Sequence, residues 1–256
     1  MFADAYVVAA AAAVGAAIGS FLNVCIYRLP RDLSLVHPPS TCPSCATPIR
    51  WFDNVPVFGW LWLRGRCRSC RNRISPRYPL VEAAVGAWWA VSAWQWGPTL
   101  DALSAAIFGT LLLGIALTDA EHYIIPHEFT LGGLVMGLLL SLRGGWPSAL
   151  EALLGAFVGF AVLYGVAWLG EKAFRKEAMG GGDINMMAMV GAFLGWQGAF
   201  LTIFLGALVG SVIFGPMAWR TRKLVPFGVF LAVGAWVTLV AGDQLLAWYL
   251  GFVRAP

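Results

Sequence analysis

Residues 180–219 read GGGDINMMAMVGAFLGWQGAFLTIFLGALVGSVIFGPMAW, with Asp183 as their single charged residue. As one helix, the apolar part 184–219 would extend about 54 Å. That far exceeds the roughly 30 Å hydrocarbon core of a bilayer. Gly195, Gln197 and Gly198 offer a place to turn, so the stretch predicts two crossings. An aspartate at the head of a span is costly in lipid and usually faces a cavity or a partner.

The rest of the chain agrees with a membrane setting. Of 256 residues, 59% are hydrophobic and 12% charged, with mean hydropathy +0.74. Soluble domains carry about 25% charged residues, so an all-α polytopic membrane protein is expected. Spans are expected near 5–26, 79–96, 102–118, 128–142, 149–169, 184–198, 199–219 and 226–250, about eight in all. Met1-Phe2-Ala3-Asp4 lacks the basic region of a cleavable signal, so the first span reads as a retained helix.

Charge orders these spans. Every Lys and Arg except Arg143 and Arg254 falls within 27–78, 172–176 or 220–223. With eight crossings those three segments share one side, and the positive-inside rule makes that side cytoplasmic. Both termini then face outward. The expected division is a first helix over 1–26, a cytoplasmic insert over 27–78 and a polytopic domain over 79–256. Gly15 and Gly19 form a Gly-xxx-Gly pair, read as a packing surface.

The insert carries Cys42-Pro43-Ser44-Cys45 and Cys67-Arg68-Ser69-Cys70. Each Cys-x-x-Cys can fold as a knuckle, and two knuckles complete a tetrahedral site. Zinc suits four thiolates and would help to fold a short segment with few core residues. Two disulfides or a redox pair are the alternatives, and a cytoplasmic location disfavours structural disulfides. Four protein ligands leave no open position, so the metal would organise rather than catalyse. Cys25, in the first span, reads as a packed thiol. The insert's arginines would attract anionic lipid. Its aromatics Trp51, Phe52, Phe58, Trp60 and Trp62 read as a small core or a membrane contact rather than a nucleic-acid surface.

A second aspartate, Asp119, closes the span that ends at Thr118. In the eight-span topology Asp119 ends a helix reaching the cytoplasmic face and Asp183 begins one leaving it. Two carboxylates at one depth can hydrolyse a peptide by sharing a proton. Gly180, Gly181 and Gly182 would let a substrate strand and water approach the backbone closely. The structural alternative makes Asp119 a loop cap and Asp183 an N-cap beside a glycine turn. Glu121, His122, His127 and Glu128 read as solvated loop residues. No His-Glu-x-x-His run supports a zinc protease.

The chain resembles the bacterial type IV prepilin peptidases, aspartic proteases of the Gly-x-Gly-Asp class. The likeness rests on Gly19-Ser20-Phe21-Leu22-Asn23-Val24-Cys25-Ile26-Tyr27-Arg28-Leu29-Pro30, the paired knuckles, Asp119 with Ile125-Pro126, and Gly180 to Asp183 with Gly191-Ala192-Phe193-Leu194-Gly195. It implies Asp119 and Asp183 as the catalytic pair and removal of a basic leader from prepilins and pseudopilins at the inner membrane. It also implies N-methylation of the new N-terminus with S-adenosylmethionine, associated with the cysteine-bearing insert and with Gly65. Partners would be those substrates and membrane lipid, with no nucleic acid. The family often has acidic residues two positions after the first aspartate and just after the Ile-Pro step; here these are Glu121 and His127. A Lys is common two positions after the second aspartate, and here Asn185 stands there. A proton-coupled transporter and a non-catalytic zinc-organised scaffold are the competing classes. Mid-span positions, mostly Ala, Gly, Leu, Val and Phe, disfavour the transporter.

Overall fold

In a computed structural model of the chain, residues 4–176, 179–221 and 226–254 are described, without the side chains of 214–221 and 253–254. Arg222 and Lys223, part of the expected third basic segment, lie outside them. Among the described residues the regular structure is entirely helical apart from two isolated bridges. The long helices are α1 (Ala5–Arg28), α3 (Arg77–Trp96), α4 (Leu100–His122), α5 (His127–Ser141), α6 (Gly145–Phe174), α7 (Gly181–Thr221) and α8 (Phe227–Arg254), with a short α2 (Phe58–Trp62) in the insert.

Five described segments are long and apolar enough to cross a membrane: Ala5–Arg31, Leu100–His122, His127–Phe174, Gly181–Ile213 and Phe227–Phe252. Among the described residues there are seven long helices, so the all-α, multi-span expectation is met while the count of eight is not. The sixth and seventh expected spans are two arms of α7, broken where Gly195 takes φ 71° and ψ 178°. Glycine reaches that backbone state without a Cβ penalty. Arg77–Trp96 is not among the five. It carries Arg77 and a buried Glu82, and its polar ends lower its hydropathy.

The chain forms two compact units, Met1–Thr110 and Leu111–Pro256, with α4 running through their boundary. In the first unit α1 packs on α3. A Cβ at Gly15 would lie 2.6 Å from Trp89, and one at Gly19 would lie 2.8 Å from the Glu82 backbone. The Gly-xxx-Gly pair thus permits close approach of the two helices. Asn23 donates to the Tyr78 carbonyl at 3.1 Å, tying α1 to the start of α3. Arg28 donates to the carbonyls of Ser34 and Pro38, setting the chain's path out of α1. Cys25 is buried as expected.

The second unit is built on α7, which packs against α5, α6 and α8. Gly155 and Gly159 of α6 lie directly on the backbone of Gly191 and Met187 in α7. Any side chain there would force the helices apart. Met186, Met187, Met189 and Val190 are fully buried in this first arm of α7. Asp183, at the arm's start, therefore springs from a rigid part of the unit.

Candidate active site and cysteine centre

Both aspartates belong to the second unit. Asp119 sits in the last turn of α4, because the helix runs one turn beyond the expected end at Thr118. It is 6% exposed, and its Oδ2 accepts the Val229 backbone N–H at 3.1 Å. Val229 is the third residue of α8, so the carboxylate caps the start of that helix. Such ends hold unpaired N–H donors and a partial positive charge. Asp183 is half-buried at the third position of α7. Its Oδ1 is occluded from solvent and has no hydrogen-bond partner among the described residues. Ile125 links the two: it packs against Gly228, beside the Asp119 carboxylate, and against Gly182, the residue before Asp183. The fold thus brings together two carboxylates 64 positions apart in the chain, one anchored by an amide and one with an uncommitted oxygen.

The glycine run differs from the expected loop. Gly180 precedes the helix, while Gly181 and Gly182 are its first two residues. At Gly180 a Cβ would make only an ordinary contact, 3.7 Å from Asp183 Oδ2, so no crowding requires glycine there. Gly182 has a packing reason: a Cβ would meet the Ile125 Cβ at 2.8 Å. Glu121 and His122 end α4, and His127 and Glu128 begin α5, so none belongs to the connecting turn. His122 Nε2 lies 3.9 Å from its neighbour Glu121. Asn185 Nδ2 lies 3.4 Å from His127 Nδ1.

The cysteine quartet lies in the first unit. Cys42 and Cys70 sulfurs are 3.8 Å apart, Cys45 and Cys67 sulfurs 3.9 Å, and all four lie within 4.8 Å of one another. A tetrahedron with metal–sulfur bonds of about 2.3 Å has edges of about 3.8 Å. The four sulfurs therefore fit one tetrahedral metal ion. The knuckles are alike in backbone as well. Cys42 N–H bonds to Thr47 O at 3.0 Å and Cys67 N–H to Asn72 O at 2.8 Å. Ala46 (φ 55°) and Arg71 (φ 60°), each just after the second Cys of its knuckle, are left-handed. Hydrogen bonding to Thr47 brings the Cys45 thiol down to about 6.

Gly65 takes φ 66°, and a Cβ there would lie 2.8 Å from the Trp60 indole. It borders an open cavity of about 330 Å³ lined by Trp60, Arg64, Arg66, Arg73, Ile74 and Pro76.

The bacterial peptidase A24 N-terminal domain model matches residues 13–96, and the type IV leader peptidase family model matches 106–215. A protein of Stutzerimonas stutzeri named prepilin leader peptidase/N-methyltransferase is 39% identical over 94% of this chain and 93% of its own length. The chain belongs to the type IV leader peptidase family. Likewise named proteins of Aeromonas hydrophila and Pectobacterium carotovorum are each 37% identical, over 91% and 86% of this chain and 90% and 88% of their own lengths. No solved structure matches.

Against the leader peptidase pattern, the departures at His127 and Asn185 prove to be one feature, since the two side chains face each other. A His–Asn pair here takes the place of the acid and Lys that the resemblance led one to expect. The sequence reading missed three participants: Val229, Gly228 and Ile125. Ile125 lay inside a quoted motif. The other two stand at the start of the last apolar run, with no distinguishing composition, and only the tertiary fold brings them to Asp119.

Proposed function

We propose that this chain is a membrane aspartic endopeptidase. It removes the basic leader from type IV prepilins and pseudopilins at the cytoplasmic face of the inner membrane, then N-methylates the new N-terminus. The observation that carries the proposal is the meeting of Asp119 and Asp183 at one end of the second unit, with family membership supplying the substrate class.

The chemistry follows from one proton shared by two acids. The ionised carboxylate takes a proton from water as the oxygen attacks the scissile carbonyl carbon. The protonated carboxyl gives its proton to the carbonyl oxygen. Collapse of the tetrahedral species breaks the C–N bond, and the leaving amine takes a proton from the pair. Titration then belongs to the pair rather than to either residue. Asp119, seated on the Val229 amide, is suited to charge, and Asp183, with an oxygen committed to no donor, is suited to carry the shared proton.

Eight crossings are proposed: α1, α3, α4, α5, α6, the two arms of α7, and α8. The α5 helix and the first arm of α7 are short for a roughly 30 Å core, so the bilayer thins beside them or their ends lie within it. A cytoplasmic side for the insert and the aspartate-bearing helix ends is supported by the distribution of Arg and Lys.

In the insert, Cys42, Cys45, Cys67 and Cys70 hold a structural zinc ion. The cavity beside Gly65 suits S-adenosylmethionine in size and lining. Trp60 offers a face for a base, and Arg64, Arg66 and Arg73 offer charge for a carboxylate. When bound, that cofactor supplies an electrophilic methyl group. Gly65 shapes the cavity by letting the chain turn under Trp60.

Mass spectrometry of a purified prepilin incubated with the reconstituted protein tests the proposal. Leader loss is expected without cofactor, and a methyl mass gain only when S-adenosylmethionine is added. An uncut prepilin would reject the peptidase reading.

A further inference from the structure

We propose that the first turn of α8 is a working part of the peptidase, serving as the seat that holds Asp119 in place through the Val229 amide. This rests on the reading of Asp119 and Asp183 as the catalytic pair. Nothing in the family pattern quoted above lies in α8.

Three observations converge. The first is the 3.1 Å bond from Val229 N–H to Asp119 Oδ2, made across 110 positions of chain. The amides of a helix's first turn have no intrahelical acceptor, so this donor is supplied without breaking a helical bond. An anion at this end also gains from the helix dipole. The second is Gly228. A Cβ there would lie 2.9 Å from Asp119 Oδ2 and 3.2 Å from its Cγ, so no larger residue leaves the carboxylate where it is. The third is Ile125, 8% exposed, which wedges the two helix starts. Its Cδ1 would lie 2.6 Å from a Cβ at Gly228, and its Cβ 2.8 Å from a Cβ at Gly182. One side chain thus gauges the spacing between the seat of Asp119 and the turn that presents Asp183.

The consequence is a division of labour. Asp119 is fixed and given a donor by backbone that no side-chain substitution can remove, short of proline. Gly228 and Val229 are positioning residues: they touch Asp119, not the substrate.

The test uses the full chain in liposomes and reads kcat and KM for prepilin cleavage together with thermal unfolding. Val229→Pro deletes the donor within the first turn of α8, where no intrahelical hydrogen bond is lost. Losing one hydrogen bond to a charged group is expected to lower kcat about ten- to a hundredfold with KM held within about twofold. Should Val229→Pro fail to reach the membrane folded, Gly228→Ala carries the same expectation by displacing the carboxylate. Gly228→Ala combined with Ile125→Val separates the seat from simple packing, since valine lacks the Cδ1 atom that crowds position 228. The seat predicts that kcat stays low in the double variant; recovery to the wild-type kcat would overturn it. Wild-type kcat in Val229→Pro, with Asp119→Asn inactive, would also overturn the seat while leaving the aspartate pair standing. Full activity in Asp119→Asn would instead reject the pair itself.

Discussion

The cysteine insert and the aspartate-bearing end of the second unit solve one problem by opposite means. Each must hold a few side chains at fixed separations. The insert does so with local sequence: two knuckles of the same backbone design, each closed by its own turn bonds, converge on one metal-sized space. The aspartate end is gathered by other means. It relies on long helices, on glycines that let them touch, and on an amide from a third helix. The first arrangement is shaped for a metal ion. The second depends on packing.

Removing the metal is the largest expected perturbation of that contrast. Structural zinc supplies on the order of 10 kcal/mol to small domains of this kind. Chelation, or Cys42→Ser, should leave the insert open to limited proteolysis while α5 to α8 stay protected. Equal loss of protection in both regions would erase the distinction.

The converse change is Ile125→Ala. It empties the wedge between Gly182 and Gly228 and should cost about 2–5 kcal/mol in the thermal unfolding of the second unit. The metal content of the insert should not change.

How much of this could be read from the chain alone differs between the two regions for the same reason. The cysteine spacing is a local pattern, so all four ligands could be named before any coordinates. The helix positions were equally legible from apolar run lengths, including the break near Gly195. The end of α4 was not, because Asp119, Glu121 and His122 are polar yet continue the helix for a further turn. Glu82 was missed too. It reads as a stray charge within an apolar segment, but its carboxylate accepts the Val57 N–H at 2.7 Å, where Val57 takes φ 61°. Gly228 and Val229 were invisible because their significance lies at Asp119, 109 and 110 positions away. Contacts of high sequence separation leave no periodic trace.

Smaller effects sharpen the picture of the insert. Arg71→Gly should stabilise the second knuckle by about 0.5–1 kcal/mol, since glycine relieves the left-handed backbone while adding some freedom to the unfolded chain. Metal affinity measured by competition should rise slightly; a fall would show that the arginine side chain matters more than its backbone.

Acid should act through Asp53. Arg68 binds it through two hydrogen bonds of 2.7 and 2.6 Å and holds its carboxyl below the usual carboxylate range. A depressed folded-state value means that this pair stabilises the insert above the unfolded value of about 3.9, and that its contribution is lost as pH falls through the folded-state value. Asp53→Asn should flatten the pH dependence of proteolytic protection below about pH 4 and leave it unaltered near neutrality. The effect is small because Arg68 is exposed to solvent.

The most direct measurement is cleavage of a purified prepilin by Asp119→Asn and Asp183→Asn proteins, each reconstituted in liposomes and shown to unfold near the wild-type temperature. The account predicts that neither variant releases the leader, because each amide removes one half of a shared proton system. Leader release at the wild-type rate by either variant would contradict it.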